Sequence, residues 1–266
     1  MKTLLQAMAG TSSKIFRIAP MIVLASLALS SAAGATCSNA SLSGTYGFVH
    51  TGTDAAGAPT TTLTQITFDP TTATFNTVDI ASHGGVINPE SSLGTYAVAS
   101  DCTAENQFTI GGGISFVVTS TGFFAGAGPH KGVTVDGFGV KQGSPTCTNP
   151  GVQGNFGFEA AGFLVAGAPG TRPVAYIGEL ELTVNTSGEG VISGHIAGSD
   201  DGTILTFADE PVTGSYSIDA DCWGTATLTP KGRSVMHFKL VLVDSGKEVL
   251  AIQTDGGTVV SGALQR

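Results

Sequence analysis

The chain has 266 residues, of which 38 are glycine and only 12% are charged, and its formal net charge is −9 at neutral pH. An acidic chain without a basic cluster repels nucleic acid, because binding there depends on neutralising phosphates with Lys and Arg. We therefore exclude nucleic acid as a partner, and for the same reason we expect no binding to anionic membrane surfaces.

The first part of the chain, residues 1–35, has the composition of a secretory signal peptide. Lys2, Lys14 and Arg17 are its only charged residues, and an apolar run over 18–29 is followed by a row of small residues. The run is shorter than the roughly 20 residues that a transmembrane helix needs. We predict cleavage before Thr36, which leaves eight Lys and Arg against 20 Asp and Glu, a net charge of −12. The expected product is secreted or periplasmic and is not inserted in a membrane.

The remainder of the chain contains one pattern twice. The segment Cys37–Phe48 (CSNASLSGTYGF) returns 110 residues later as Cys147–Phe158 (CTNPGVQGNFGF). A Gly-x-Tyr element followed by an Asp-Cys pair also occurs twice, 120 residues apart: Gly94-Thr-Tyr96 with Asp101-Cys102, and Gly214-Ser-Tyr216 with Asp221-Cys222. We interpret the repeat as an internal duplication and predict two domains, at 36–143 and 144–266.

The four cysteines, two in each copy, stand at matching positions. In an exported chain this arrangement favours disulfide bonds. Of the three possible pairings, repeat symmetry selects Cys37–Cys102 and Cys147–Cys222. A metal site is disfavoured because the sequence has no CxxC pair and no histidine at ligand spacing from a cysteine. We predict no metal and no cofactor.

Short alternating runs separated by Gly, Pro, Asn and Asp fill both copies, and no amphipathic helix is evident after residue 35. In Val235–Val243, for example, four large apolar side chains share one face, while His237 and Lys239 lie on the other face between valines. This alternation predicts an all-β protein with one buried face per strand. About eight strands in each copy suit two tandem antiparallel β-barrels, since closure removes exposed edges; small β-sandwiches are the alternative.

The constellation of Cys, Gly-x-Tyr/Phe-Gly-Phe, Gly-x-Tyr and Asp-Cys resembles that of secreted bacterial proteins of unknown function with duplicated β-domains. The first copy departs from it after Cys102, where Thr103-Ala-Glu lacks the glycine that follows Cys222 in the second copy. The resemblance implies a calycin-like or allene-oxide-cyclase-like barrel. It implies no catalytic residues.

A catalytic constellation is not evident. No nucleophile elbow is present, and none of the histidines after the leader recurs in both copies: His50, His83, His130, His195 and His237. Glu179 and Glu181 form the best carboxylate pair, at a spacing that could serve glycoside hydrolysis, but alternation places both on the solvated exterior. Asp-rich turns at Asp200-Asp201-Gly202 and Asp219-Ala-Asp221 lack the spacing of a calcium loop. We therefore predict no catalytic residues and favour a protein that is not an enzyme, with a barrel cyclase as a weaker alternative.

Aromatic residues recur at matching positions, as the pairs Tyr46/Phe156, Phe48/Phe158 and Tyr96/Tyr216. We interpret them as core residues, because aromatic side chains dominate burial. Two functions remain open. One is a non-enzymatic exported protein with a structural or surface-interaction role; the other is a carrier of a small apolar ligand in a calycin-like cavity. The volume inside each barrel distinguishes the two.

Overall fold

The structure is a computed structural model that describes residues 36–126, 134–165, 171–205 and 211–266. The predicted signal peptide and His130 lie outside the described residues. Regular structure in the described part consists of β-strands and three short 3-10 turns. Within the same residues, no helix has the length and hydropathy needed to cross a membrane.

The first barrel is a closed antiparallel barrel of eight strands in sequence order. Its strands are β1 (Gly44–Thr53), β2 (Pro59–Asp69), β3 (Thr74–His83), β4 (Val86–Val98), β5 (Thr103–Phe108), β6 (Ser115–Val118), β7 (Gly122–Gly126) and β8 (Thr134–Lys141). Pairing of β8 with β1 closes the barrel. The prediction of a barrel is confirmed, and the sandwich alternative is wrong.

The second barrel repeats this order with one addition. Its strands are β9 (Gly154–Leu164), β10 (Arg172–Val184), β11 (Gly190–Asp200), β12 (Thr203–Leu205), β13 (Pro211–Ile218), β14 (Trp223–Pro230), β15 (Met236–Val243), β16 (Glu248–Gln253) and β17 (Thr258–Gln265). Eight of these strands close the barrel, because β17 pairs with β9 and β11 pairs with β13. The short strand β12 only extends β11 as a hairpin. Two barrels with one strand order are what a tandem duplication predicts.

One end of each barrel is plugged by the 3-10 turn that follows its first cysteine. In the first barrel the Tyr96 hydroxyl donates to the carbonyl of Leu42 at 2.9 Å, and the Asn39 side chain accepts from the Val98 amide at 2.8 Å. In the second barrel the Tyr216 hydroxyl donates to the carbonyl of Asn149 at 3.0 Å. These contacts explain why the Cys-x-Asn and Gly-x-Tyr elements recur: they hold the plug in place.

The disulfides lie at the same plugged ends. They join Cys37 to Cys102 and Cys147 to Cys222, as predicted. Cys102 and Cys222 both have positive φ, at 69° and 68°, a conformation that costs energy for residues with a Cβ. The preceding aspartates compensate by accepting a hydrogen bond from the amide two residues later: from Thr103 at 3.0 Å and, in the second barrel, from Trp223 at 3.1 Å. The recurring Asp-Cys pair is therefore a turn motif.

A third apolar cluster joins the outer surfaces of the two barrels. The first barrel contributes Val49 and Leu63, and the second contributes Trp223, Val241, Val243, Leu250, Ile252 and Ala263. Val241 and Val243, which follow Lys239 on the outer face of β15, therefore lie in this interface, which accounts for a strand end that is apolar on both faces. The connection between the barrels is also docked, since Gln142 is buried and donates to the carbonyl of Leu242 at 3.0 Å.

Candidate ligand-binding site in the first barrel

The candidate carboxylate pair and two of the candidate histidines lie on the outside of the second barrel. Glu179 and Glu181 are exposed on the outer face of β10, and His195 and His237 are exposed as well. Within the described residues, no group of three or more His, Cys, Asp or Glu is placed to hold a metal ion. The recurring aromatic residues Tyr46, Phe48, Phe156, Phe158, Tyr96 and Tyr216 are all buried in the barrel cores. The prediction that these aromatic pairs are core residues is therefore confirmed.

The interior of the second barrel is filled by side chains. A free space of about 20 Å³ in this core is lined by apolar residues such as Phe158, Leu180, Ile192, Leu240 and Leu264, together with Tyr216. This volume is close to the space of one water molecule, which would also need two or more polar partners. Among the described residues, the free space in this core is no larger than about one water molecule.

The interior of the first barrel differs, because a cavity of about 160 Å³ occupies the half that lies away from the disulfide. We call it the first-barrel cavity. Its polar wall consists of Thr60, Thr62, Thr64, Thr77, Asp79, Ser92 and Asn106, with His50, His83 and Glu90. Its apolar wall consists of Phe48, Ile66, Phe108, Ile110 and Ile114. The cavity thus combines hydrogen-bonding and apolar lining residues.

The strand registers show which residues of the second barrel take the place of these polar groups. Phe48 lies opposite Thr64, which lies opposite Asp79. In the second barrel the matching Phe158 lies opposite Gly178, which lies opposite Ile196. Four further replacements follow in the same way: His50 by Ala160, Thr77 by Gly194, Ser92 by Val212 and Asn106 by Ala226. Each of these polar side chains therefore has a glycine or an apolar residue as its counterpart.

Asp79 is the buried carboxyl group of the cavity. The Thr77 hydroxyl donates to its Oδ2 atom at 2.6 Å, while the Ser92 amide donates to the Thr77 oxygen at 3.0 Å. Burial raises the pKa of Asp79 above its ordinary value; hydrogen bonds from Thr77 and Thr64 oppose this rise, and the nearby Glu90 charge adds to it. A carboxyl group with a raised pKa can both accept a hydrogen bond and, once protonated, donate one.

His50 lies on the same level of the barrel, beside the Phe48 ring at a centroid distance of 4.9 Å. Burial lowers the pKa of His50 to about 4, helped by the charge of His83 and opposed by that of Asp136. The imidazole is therefore neutral at pH 7. Its Nδ1 atom is buried and has no hydrogen-bond partner among the described residues. A buried polar atom without a partner costs free energy, so this atom is available to a ligand.

His83 and Glu90 stand at the open end of the cavity. Their side chains are 41% and 48% exposed, and Nε2 of His83 lies 3.3 Å from Oε1 of Glu90. The pair sits where β3 turns into β4, next to Gly84 and Gly85. This open end, which we call the mouth of the barrel, is opposite the plug.

Most residues of this cavity could not be recognised by the criterion of recurrence in both copies. A signal was nevertheless present in β2, where Thr60, Thr62 and Thr64 share a face with Ile66 and Phe68. Asp79 likewise shares a face of β3 with the buried Phe75. Polar residues on the buried face of a strand contradict simple alternation, and that contradiction marks the site.

Comparisons of the chain with protein-family models, with curated proteins and with solved structures found no match.

Proposed function

We propose that the protein is an exported binding protein whose first barrel holds a small monocyclic molecule with a hydroxyl or similar polar substituent. The observation that carries the proposal is the polar wall of the first-barrel cavity. The second barrel builds the same fold with Gly178, Ile196 and Ala226 at the positions of Thr64, Asp79 and Asn106, so the fold does not require those three polar side chains. Buried polar groups cost stability, and a cost that the fold does not require points to function.

Size and lining define the ligand. A cavity of about 160 Å³ is comparable to an engineered cavity of about 150 Å³ that holds benzene in another protein. Phe48 and Phe108 line the cavity with aromatic carbon, against which an aromatic ligand packs favourably. The threonine hydroxyls, Asp79 and the Nδ1 atom of His50 offer hydrogen bonds in the same cavity. A phenol-like ring fits this pattern better than the purely apolar ligand considered from the sequence.

The proposal also includes export from the cytoplasm and a structural role for the second barrel. Two disulfides are compatible with an extracellular or periplasmic protein, and the composition of residues 1–35 supports export. With its filled core, the second barrel serves as a structural partner that packs against the outer faces of β1 and β2. In this proposal, binding in the barrel interiors belongs to the first barrel alone.

The test is an NMR titration of 15N-labelled protein spanning 36–266 with phenol, and with toluene as the ring of similar size without a hydroxyl. Phenol should shift amide signals around Thr64 and Asp79 and leave the core of the second barrel unchanged. Thr64→Val should weaken phenol binding about threefold to tenfold, the worth of one neutral hydrogen bond. The matched control is Thr67→Val, on the outer face of the same strand, which should bind phenol as the unmodified protein does.

Two results would contradict the proposal. Equal affinity for toluene and phenol would assign the site to apolar ligands, and the absence of phenol binding would remove the proposed ligand class. Equal losses from Thr64→Val and Thr67→Val would show a general effect on the barrel instead of a contact in the cavity.

A further inference from the structure

A second pocket lies at the mouth of the second barrel, outside its filled core. It has a volume of about 450 Å³, and we call it the second-barrel mouth pocket. Its apolar lining includes Leu164, Ile196 and Met236, and its polar lining includes Tyr176, Asp200, Arg233, Gln253 and Asp255. It shares no lining residue with the first-barrel cavity.

Gln253 is the most deeply buried polar side chain of this pocket, with 5% of its surface exposed. Its Nε2 atom donates to Oδ2 of Asp255 at 2.8 Å. A carboxylate only accepts hydrogen bonds, so this contact fixes the orientation of the amide. The Oε1 atom is buried and has no hydrogen-bond partner among the described residues. Gln253 follows the core residues Val249 and Ala251 on the inward face of β16, which directs its side chain to the mouth.

Asp200 supplies a second buried oxygen without a hydrogen-bond partner among the described residues. It is on the inward face of β11, in line with Ile192 and Ile196. Its Oδ2 atom accepts from Nη1 of Arg172 at 3.1 Å, whereas Oδ1 is buried and lacks a partner in the described part of the chain. Two acceptors thus line one pocket, and each has an oxygen that a hydrogen-bond donor would satisfy.

We infer that the second-barrel mouth pocket binds an organic primary ammonium ion, with the ammonium group between Asp200 and Gln253. An ammonium group carries three N–H donors and no acceptor, which matches two oxygens without partners. Hydrogen bonds from a cation to a carboxylate are stronger than those between neutral groups. The ring of Tyr176 and the side chains of Leu164 and Met236 would receive the hydrocarbon part of the ligand.

The other charged groups that the structure describes at this mouth are Asp255, Arg172 and Arg233. Asp255 is held by His237, whose Nδ1 atom lies 2.7 Å from Oδ1, and by the His237 amide at 2.9 Å. Arg172 is paired with Asp200, and Arg233 lines the pocket as a second cation. The ammonium group therefore has one carboxylate oxygen to itself, the Oδ1 atom of Asp200. The net charge of −12 expected for residues 36–266 also raises the local concentration of cations.

The experiment uses protein spanning 36–266, with hexylammonium chloride as the probe and 1-hexanol as the isosteric neutral control. Calorimetric titration at pH 7 and low salt measures affinity, and 15N chemical shifts locate the site. Hexylammonium should bind and shift the amides of Asp200 and Gln253, whereas hexanol should bind at least about tenfold more weakly.

Three variants sharpen the test. Asp200→Asn should weaken hexylammonium binding about tenfold or more, and Gln253→Met, which keeps the length of the side chain, should weaken it to a smaller extent. Asp201→Asn is the matched control, because Asp201 is the adjacent exposed aspartate and does not line the pocket; it should bind as the unmodified protein does. Thermal melting of each variant checks that the barrel is folded.

The inference would be overturned if hexylammonium did not bind, if hexanol bound equally well, or if Asp200→Asn and Asp201→Asn had equal effects in folded protein. These results are independent of the phenol titration, because the two pockets share no lining residue and report through different amide signals.

Discussion

The two barrels have the same strand order, the same plug and the same disulfide, yet one is filled and the other contains a cavity. In the mouth half of the interior, Thr64 and Asp79 in the first barrel correspond to Gly178 and Ile196 in the second. At the plugged end, Tyr96 and Tyr216 make matching hydrogen bonds to the plug. The comparison separates residues that the fold requires from residues that it only tolerates, and the tolerated ones define the candidate site.

The largest expected effect comes from emptying the same core position in each barrel. Phe158→Ala should lower the free energy of unfolding by about 3–5 kcal/mol, because it leaves a void in a filled apolar core. Phe48→Ala should cost less, since Phe48 borders the first-barrel cavity and water among polar side chains can occupy the added space. Chemical denaturation of both variants measures the difference, and equal losses would show that the two interiors are equally dry.

A smaller effect concerns the dependence of stability on pH. Because burial lowers the pKa of His50 to about 4 in the folded protein, the unfolded chain binds the proton more readily. The contribution of His50 to stability is therefore complete above about pH 6.5 and is lost as the pH falls toward 4, by at most about 3 kcal/mol. His50→Ala, which introduces the residue found in the second barrel, should remove this part of the slope.

The matched control for that measurement is His195→Ala, which changes an exposed histidine of the second barrel. Unfolding curves at several pH values between 4 and 7 give the free energy of unfolding as a function of pH. The slope for the His195 variant should equal that for the unmodified protein. An unchanged slope in the His50 variant would contradict the assignment of His50 as a buried neutral imidazole.

The smallest effect has the opposite sign. The pKa of Asp79 is raised mainly by burial, so its ionised form opposes folding above the ordinary pKa of a carboxyl group, and the opposition disappears as the pH falls below the raised value. Asp79→Asn should therefore stabilise the protein at pH 7, by on the order of 1 kcal/mol, with a smaller gain at acidic pH. Asp69→Asn is the control: the hydrogen bonds from Thr71 and Thr72 lower the pKa of Asp69, so this change should not stabilise. Destabilisation by Asp79→Asn at pH 7 would contradict the prediction.

The barrel fold and both disulfides could be predicted because their signals recur. Alternation placed Phe238 and Leu240 in the core of β15, and the matching cysteines selected the observed pairs. The interface between the barrels was harder to predict, because alternation places Val241 and Val243 on the outer face of β15, where exposed residues are expected. Only the packing of Leu63 against them shows that they are buried.

The candidate site was missed for a related physical reason. Recurrence in both copies does not detect a site that is present in one copy only, and a single histidine in the sequence does not show which residues surround it. His50 becomes informative only when strand register brings it to the same cavity as Asp79 and Asn106, which are 29 and 56 residues further along the chain. Register over that distance depends on hairpin geometry and barrel closure, which the pattern of a single strand does not contain.

The plug also affects how the sequence of such a barrel can evolve. Cys37, Asn39 and Tyr96 hold one end of the first barrel through a covalent bond and a set of hydrogen bonds to the backbone, and these contacts do not involve the mouth. Substitutions near His50 or Asp79 therefore leave the closing contacts at the plug intact. The plugged end therefore stays fixed while residues at the mouth change, so the barrel can acquire new binding specificities without losing its fold.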